Sequence, residues 1–363
     1  MKKTILLVMI LALSTNVEIV NADYTFGEPI NLGPTVNSSW EEPAGSISAD
    51  GLTLFITSNR SGGSGKNDLW VSTRATIDDP WSEAVNLGTT VNSSNYDGCS
   101  TISVDGLTLY FSAYNRSGGQ GGSEIWMTTR ATTEDDWSTP VNLDVPVYSG
   151  SHEWSQSISA DGLSLYFGSK RSSGSGDFDL WVTTRATIDD NWSTSVNLGS
   201  IVNSSSYEYA PSISADGNTL FFESGRSSGF GESDIWITRR NTTEDDWTTP
   251  VNLGPEVNTS YDEFAPSISF DGSTLYFCSD RPGGSGDYDL WQAPIIPICD
   301  FNGDGFIDTE DLLIMIDNWS TDESLCDIGP MPWGDGVVDI EDLKVFMEYW
   351  EQENMPELTE AAE

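Results

Sequence analysis

One histidine, four cysteines and fifteen lysines and arginines are the scarce components of this 363-residue sequence. The single histidine, His152, argues against a zinc centre or a His-based nucleophile system, because both draw on imidazole. The few basic residues stand against 57 Asp and Glu, for a formal net charge of −42. Such a surface repels nucleic acid and anionic membranes. It suits a calcium-rich exterior, or partners that bring cations. Beyond the N-terminus no segment is apolar enough to span a bilayer. The N-terminus itself has Lys2 and Lys3, an apolar run over residues 6–13, and small residues at Val20-Asn21-Ala22. That is the form of a secretory signal cleaved after Ala22, and the run is too short for a membrane anchor. The mature chain is expected outside the cytoplasm: secreted, at the cell surface or periplasmic. Cys299 and Cys326 each precede an aspartate in related segments, which makes them disulfide candidates in an oxidising compartment. Cys99 and Cys278 fall in predicted strands of different repeats and read as buried free thiols.

Internal repetition dominates what is present. Asp-Gly recurs at Asp50, Asp105, Asp161, Asp216 and Asp271, and Trp70, Trp126, Trp181, Trp236 and Trp291 keep the same step of about 55 residues. One unit parses into four strands: residues 45–49, 52–58, 68–73 and 81–87. Asp-Gly closes the first hairpin because it tolerates positive φ. A glycine-rich loop joins the second strand to the third. Four short strands with turn signals at every join predict a propeller blade. The first three strands occur five times. The fourth, Trp-x-x-x-Val-Asn-Leu, follows only the first four copies, at Trp81, Trp137, Trp192 and Trp247. Its missing copy stands at residues 26–33. The fold expected is a mainly β, five-bladed propeller closed by its own N-terminal strand, against the alternative of an open stack of sheets. These repeats, such as "EFAPSISFDGSTLYFCSDRPGGSGDYDLW", resemble the TolB-type, WD-repeat-like propeller repeat. The resemblance implies the fold and no single function.

Two sets of polar residues recur with the repeat. Glu42, Asp97, Glu153, Glu208 and Glu263 lie eight positions before each Asp-Gly aspartate, with aromatics such as Trp154 in the same register. Around one channel mouth they would form a carbohydrate- or protein-binding rim. The competing reading is that each acid caps backbone N–H groups of its own blade. Glu153, flanked by His152 and Trp154, is the one weak catalytic candidate. Arg60, Arg116, Arg171, Arg226 and Arg281 end the second strand, and Asp68, Glu124, Asp179, Asp234 and Asp289 open the third. Hairpin neighbours of opposite charge are expected to pair within each blade.

After a Pro-rich linker, residues 293–298, the pattern changes. Asp300, Asn302, Asp304, Asp308 and Asp311 place oxygen donors at positions 1, 3, 5, 9 and 12 of a calcium loop. Gly305 stands at position 6, and Phe306 offers its carbonyl at position 7. A helix with Leu312, Leu313, Met315, Ile316 and Trp319 follows and reads as a packing face. A second, partial copy supplies Asp335, Val337, Asp339 and Asp342. There Met331 and Trp333 displace the first ligands and Asp327 lies four residues early, so either the loop bulges to bring Asp327 in or this site is weak. Two loop–helix units over residues 299–352 resemble a type I dockerin, a small α-helical module. The resemblance implies Ca²⁺ binding and docking onto a cohesin-like partner through Thr309, Glu310, Ile340 and Glu341. An acidic, disordered tail is expected over residues 353–363. Two functions compete: a non-catalytic binding propeller docked through the calcium module, or a secreted glycoside hydrolase or lyase in polysaccharide breakdown. A glycosidase needs two carboxyls with separated roles, and five equivalent acids supply no odd pair.

Overall fold

The computed structural model describes residues 24–297, 299–302, 307–321, 326–329 and 337–354. The expected signal peptide and the last nine residues of the tail lie outside them. Two compact units result, one holding Phe26–Ile296 and the other beginning at Pro297.

The first unit is a five-bladed β-propeller, each blade an antiparallel sheet. In blade one the strands are Ala44–Ile47, Thr53–Ser58, Asp68–Thr73 and Val85–Asn86, from the channel outwards. The second strand is buried along most of its length because neighbouring blades cover both its faces. Strand alternation sends its side chains to opposite seams. Leu54 and Ile56 join Tyr276, Cys278 and Leu290 of blade five, while Phe55 joins Leu109, Phe111 and Trp126 of blade two. At the Asp-Gly turn Gly51 has φ +70°, and Asp50 Oδ1 accepts the Leu52 N–H at 3.0 Å. Glycine at position 65 has a different cause. A Cβ there would stand 2.0 Å from the Asn95 carbonyl of the next blade, so the loop lies against its neighbour only without a side chain.

The outermost strand is shorter than the sequence suggests, two residues rather than seven. Trp81 turns out of the ladder and packs under the Arg74 guanidinium, 4.4 Å from its ring centre. The expected linker is also different: the last strand of blade five runs unbroken over Asp289–Pro297, with Ile295 buried and Pro294 accepting the Gly27 N–H at 2.9 Å. Closure occurs where the repeat count placed it. Ile30 and Asn31 pair with Gln292 and Trp291, and Tyr24–Phe26 adds a further strand to the same sheet.

The second unit packs Cys299, Phe301, Met315, Cys326, Ile328, Val338 and Phe346 into one apolar cluster. Its helices are Thr309–Asp317 and Ile340–Asn354. The first helix splits its apolar residues. Met315 is buried, whereas Leu313, Ile316 and Trp319 face solvent at 58, 50 and 39 % exposure, so only part of the expected packing face is used. Among the described residues no helix is long and apolar enough to cross a membrane.

Asn37 ties the closing segment down. Its amide bonds both the N–H and the carbonyl of Leu290, at 2.8 and 2.9 Å. Asn37→Ala is expected to cost about 1–3 kcal/mol by orphaning those two buried backbone groups. Deleting residues 23–37 should lower the melting temperature far more. A truncated protein that melts like the full chain would refute closure by this strand.

Candidate functional site

The five repeated acids do not form an open rim. Glu42, Asp97, Glu153, Glu208 and Glu263 are each 0 % exposed. Glu42 Oε2 accepts the Ser38 N–H at 2.8 Å, and Oε1 accepts the Ser38 and Ser58 hydroxyls, both at 2.7 Å. Arg60 Nη2 donates to Oε1 at 2.9 Å and to the Val36 carbonyl at 2.5 Å. Blades three, four and five repeat this set with Arg171, Arg226 and Arg281. In blade two the shorter Asp97 faces Ala113 where the other blades carry serine, and it keeps Ser93 and Arg116. Expectation and structure therefore differ for these five as ligand residues: a carboxylate turned inward onto an arginine and a serine backbone has the contacts of a cap. Glu153 is no exception, bonded to Ser149, Ser169 and Arg171 like its counterparts. Trp154, half-buried, packs against Tyr96 at 4.8 Å between ring centres. His152 Nδ1 meets the Ser123 hydroxyl at 3.1 Å.

The arginines are thus not paired with the acids that open the third strand. Those acids bind the glycine-rich loop. Asp179 accepts the Ser175 and Gly176 N–H groups at 2.7 and 2.8 Å and the Asn197 amide at 2.8 Å. In blade five the amide comes from Asn31, 3.4 Å from Asp289. The N-terminal strand supplies in blade five what Asn197 supplies in blade three.

The inner strands of blades two to five each carry a bulge at the mouth of the channel. Cys99, Ser155, Ala210 and Ala265 there have φ of 49, 50, 45 and 48°, strained values for residues other than glycine. The N–H of a bulge needs an acceptor, and the second strand of the preceding blade offers one. Thr57 Oγ1 takes the Cys99 N–H and Ser112 Oγ the Ser155 N–H, both at 2.8 Å. Blade three has Gly168 at this position, and the Tyr209 ring packs over it. Blade four has Glu223, which serves the Ala265 N–H. A hydroxyl suffices for that task elsewhere. The extra oxygen is the anomaly: Glu223 Oε2 is buried without a hydrogen-bond partner, as is Ser233 Oγ.

Glu223 is the carboxyl that breaks the five-fold pattern. Burial pushes its pKa up to about 7, with Asp262 adding to the rise, while Ser233 and the Ala265 N–H pull it partway back. Ser233 is near enough to pull on the carboxyl although neither Oε2 nor Oγ closes a well-formed hydrogen bond. Asp262 is itself raised, by burial and then by Asp280. Tyr209 lies opposite Glu223 in the ladder. Burial raises the phenols of Tyr209 and Tyr96 and the thiols of Cys99 and Cys278, so all four stay protonated at neutral pH. Cys278 is buried as expected, and Cys99 only partly. Below the mouth the channel is narrow and lined by small residues, including Ser46, Thr101, Ser157, Ser212 and Ser267. Sequence reasoning missed Glu223. Its signal was a departure at one column of the second strand: Thr57, Ser112, Gly168, Glu223, Cys278.

In the second unit Asp311, fully buried, accepts the Phe301 and Asn302 N–H groups at 2.7 and 3.1 Å on Oδ1 and the Asp308 N–H at 2.9 Å on Oδ2. Asp308 caps the first helix in return. Asp342 repeats the arrangement with Gly329 and Asp339, at 2.7 and 2.6 Å, and with the Ile328 N–H. Matching these donors aligns Asp327 with Asp300 and Cys326 with Cys299, the second loop being four residues longer. Among the described loop residues the donors are Asp300, Asn302, Asp308 and Asp311, then Asp327, Val337, Asp339 and Asp342. Hard oxygens of this kind fit Ca²⁺ and no softer metal. Asp304, Phe306 and Asp335 lie outside the described residues.

No family model matches the sequence, and comparison with curated proteins gives no match. Solved structures do match. An α-L-arabinofuranosidase from Lactobacillus brevis superposes with TM-score 0.50 at 12 % identity, over 74 % of this chain and 93 % of that one. The GH43_1 enzyme from Xanthomonas citri, complexed with xylotriose, gives 0.50 at 12 %, over 74 % and 89 %. A putative TolB from Agrobacterium tumefaciens gives 0.45 at 18 %, over 76 % and 99 %. The shared property is the five-bladed propeller.

Two outcomes test this site. Glu153→Ala and Glu208→Ala should lose similar stability, about 3–5 kcal/mol in urea unfolding, because each strands a buried arginine. A clear difference between them would restore a special role to Glu153. For Glu223 the folded pKa lies above the unfolded value, so the folded state holds more protons between about pH 4.5 and 7. Stability must therefore fall as pH rises through that window, with a slope of at most about 1.4 kcal/mol for each pH step of one. Glu223→Gln should match the parent below pH 4.5 and exceed its stability above pH 7. A constant difference across that range would refute the buried, proton-holding carboxyl.

Proposed function

We propose that this chain is a secreted glycoside hydrolase, its propeller holding the reactive carboxyls at the channel mouth and its C-terminal unit acting as a calcium-dependent docking module. Glu223 is the observation that carries this reading. Glycoside hydrolysis needs one carboxyl kept protonated near neutral pH and a second one ionised at the same sugar. A carboxyl with pKa about 7 is half protonated at neutrality and would give its proton to the leaving oxygen. Asp262, close enough to raise Glu223, would be the ionised partner. Tyr96 and Trp154, stacked at the same mouth, offer an aromatic wall to a sugar ring. The arabinofuranosidase and the xylotriose-bound enzyme share the propeller architecture, so pentose-rich polysaccharide is the substrate class to try first.

Asp300, Asn302, Asp308 and Asp311 would hold one Ca²⁺, and Asp327, Val337, Asp339 and Asp342 would contribute to a second. When bound, the ion neutralises acids that otherwise repel, and so favours the folded module. Thr309, Glu310 and Ile340 are exposed and Glu341 partly so, which suits contact with a cohesin-type partner. A second reading, binding without turnover, is favoured by the burial of Glu223 Oε2: that oxygen reaches no solvent unless the mouth opens.

One experiment separates the readings. The full chain with Ca²⁺ is incubated with arabinoxylan, and both released pentose and retention on the insoluble polymer are measured. Glu223→Gln or Asp262→Asn should lower release by about 10²–10⁴-fold. Retention without release in the parent protein would establish the binder. Neither retention nor release would remove the polysaccharide assignment. In the same preparations calorimetry should register Ca²⁺ uptake that Asp311→Ala abolishes; no uptake would end the calcium assignment.

A further inference from the structure

The five seams between blades are not equivalent on the face that carries the Asp-Gly turns. Each of the first four blades bears an arginine just after its third strand, stacked on the tryptophan of the outer segment: Arg74 on Trp81, Arg130 on Trp137, Arg185 on Trp192 and Arg240 on Trp247, at 4.3–4.4 Å. At three seams a tyrosine of the preceding blade takes one of that arginine's remaining N–H groups. Arg240 Nη2 donates to the Tyr166 hydroxyl at 3.2 Å. Tyr110 pairs likewise with Arg185, and Tyr276 with Arg74. Between blades four and five both partners are changed together, Phe221 facing a strand with Ile295 where the arginine would be. Only the seam between blades one and two keeps the arginine and loses the tyrosine. Phe55 stands there, its ring 6.2 Å from Trp137.

Arg130 is consequently left with an unused donor. Its Nε bonds the Gly106 carbonyl at 2.9 Å and Nη1 the Thr133 carbonyl at 2.7 Å. Among the described residues nothing accepts from Nη2. The same seam holds a cavity of 470 Å³, against 210 Å³ at the seam where Tyr276 meets Arg74. That size lies within the range of ligand pockets. Phe55 and Ile102 form an apolar floor, with Val104 and Trp137 beside it. Asp105 and Glu134 stand at the edge.

We propose that the seam between blades one and two is a binding site for a neutral saccharide unit, with Arg130 donating to a sugar oxygen. Two carboxylates beside the guanidinium, in a chain of net charge −42, disfavour an anionic ligand and accept hydroxyl protons readily. A sugar meets both requirements, because each hydroxyl donates and accepts, and its apolar face suits Phe55 and Trp137. The site is separate from the channel mouth, and its occupancy does not depend on hydrolysis there.

The test uses the full chain in a Glu223→Gln background, so that no turnover consumes the probe. Xylotriose and cellotriose are titrated calorimetrically into this protein and into the same protein carrying Phe55→Tyr or Arg130→Gln. Phe55→Tyr supplies the hydroxyl present at three sister seams, so it should fold with an unchanged or higher melting temperature. Both substitutions are expected to weaken binding of at least one trisaccharide tenfold or more. Binding unaltered by either substitution would overturn the proposal, as would no binding of either sugar at millimolar concentration. Preference for trigalacturonic acid over both neutral probes would overturn the assignment of a neutral ligand.

Discussion

A carboxylate withdrawn completely from water is stable only when it is paired and hydrogen-bonded, and the propeller is organised around five such carboxylates. Glu42 and its equivalents collect a backbone N–H, a hydroxyl and an arginine fork at the point where the chain crosses from one blade to the next. The arginine also holds the carbonyl of the crossover, as Arg60 holds Val36. Each node therefore fixes three segments at once: the crossover, the start of the inner strand and the end of the second strand. The acids of the third strand apply the same chemistry to the glycine-rich loop. Ten negative charges are absorbed in this way by the molecule's own donors, leaving the remainder to the surface.

Much of this architecture was legible in the residues. The Asp-Gly and Trp registers gave the blades, and the displaced Asn-Leu-Gly strand gave the closure. What a repeat cannot convey is which of two acids an arginine meets. Arg60 is nearer in sequence to Asp68 than to Glu42, yet the loop N–H groups of Ser64 and Gly65 reach Asp68 first. The outer strand looked longer than it is because Trp81 is apolar for the sake of Arg74 and not for the sheet. Pro294 and Pro297 looked like a break, but the strand has an added partner in Tyr24–Phe26, and proline is tolerated near a sheet edge. The exceptions carried more than the rule did. Glu223 and Phe55 are each ordinary alone, and both acquire meaning only beside their four counterparts.

The C-terminal unit shows the converse. Its second loop departs from the spacing of the first, and spacing alone left Asp327 out of register. The backbone donors to Asp342 supply the correct frame, since they correspond to those of Asp311 one by one. Extra residues within a loop alter the count along the chain without altering which atoms meet at its two ends.

Closure by the N-terminal strand also governs how the ring can be made. Asn37 and Leu290 meet across 253 positions of sequence, so the contact that completes the last blade is among the most distant in the chain. Four blades can assemble in order as they emerge, each against the one before it. The fifth waits for a strand synthesised first, whose loop-closure entropy grows only slowly with length while its search must await nearly the whole polypeptide. Until then the first segment and the last blade are both exposed strand edges. A chain exported in extended form, with its N-terminus released outside, would reach that state only after translocation is nearly finished.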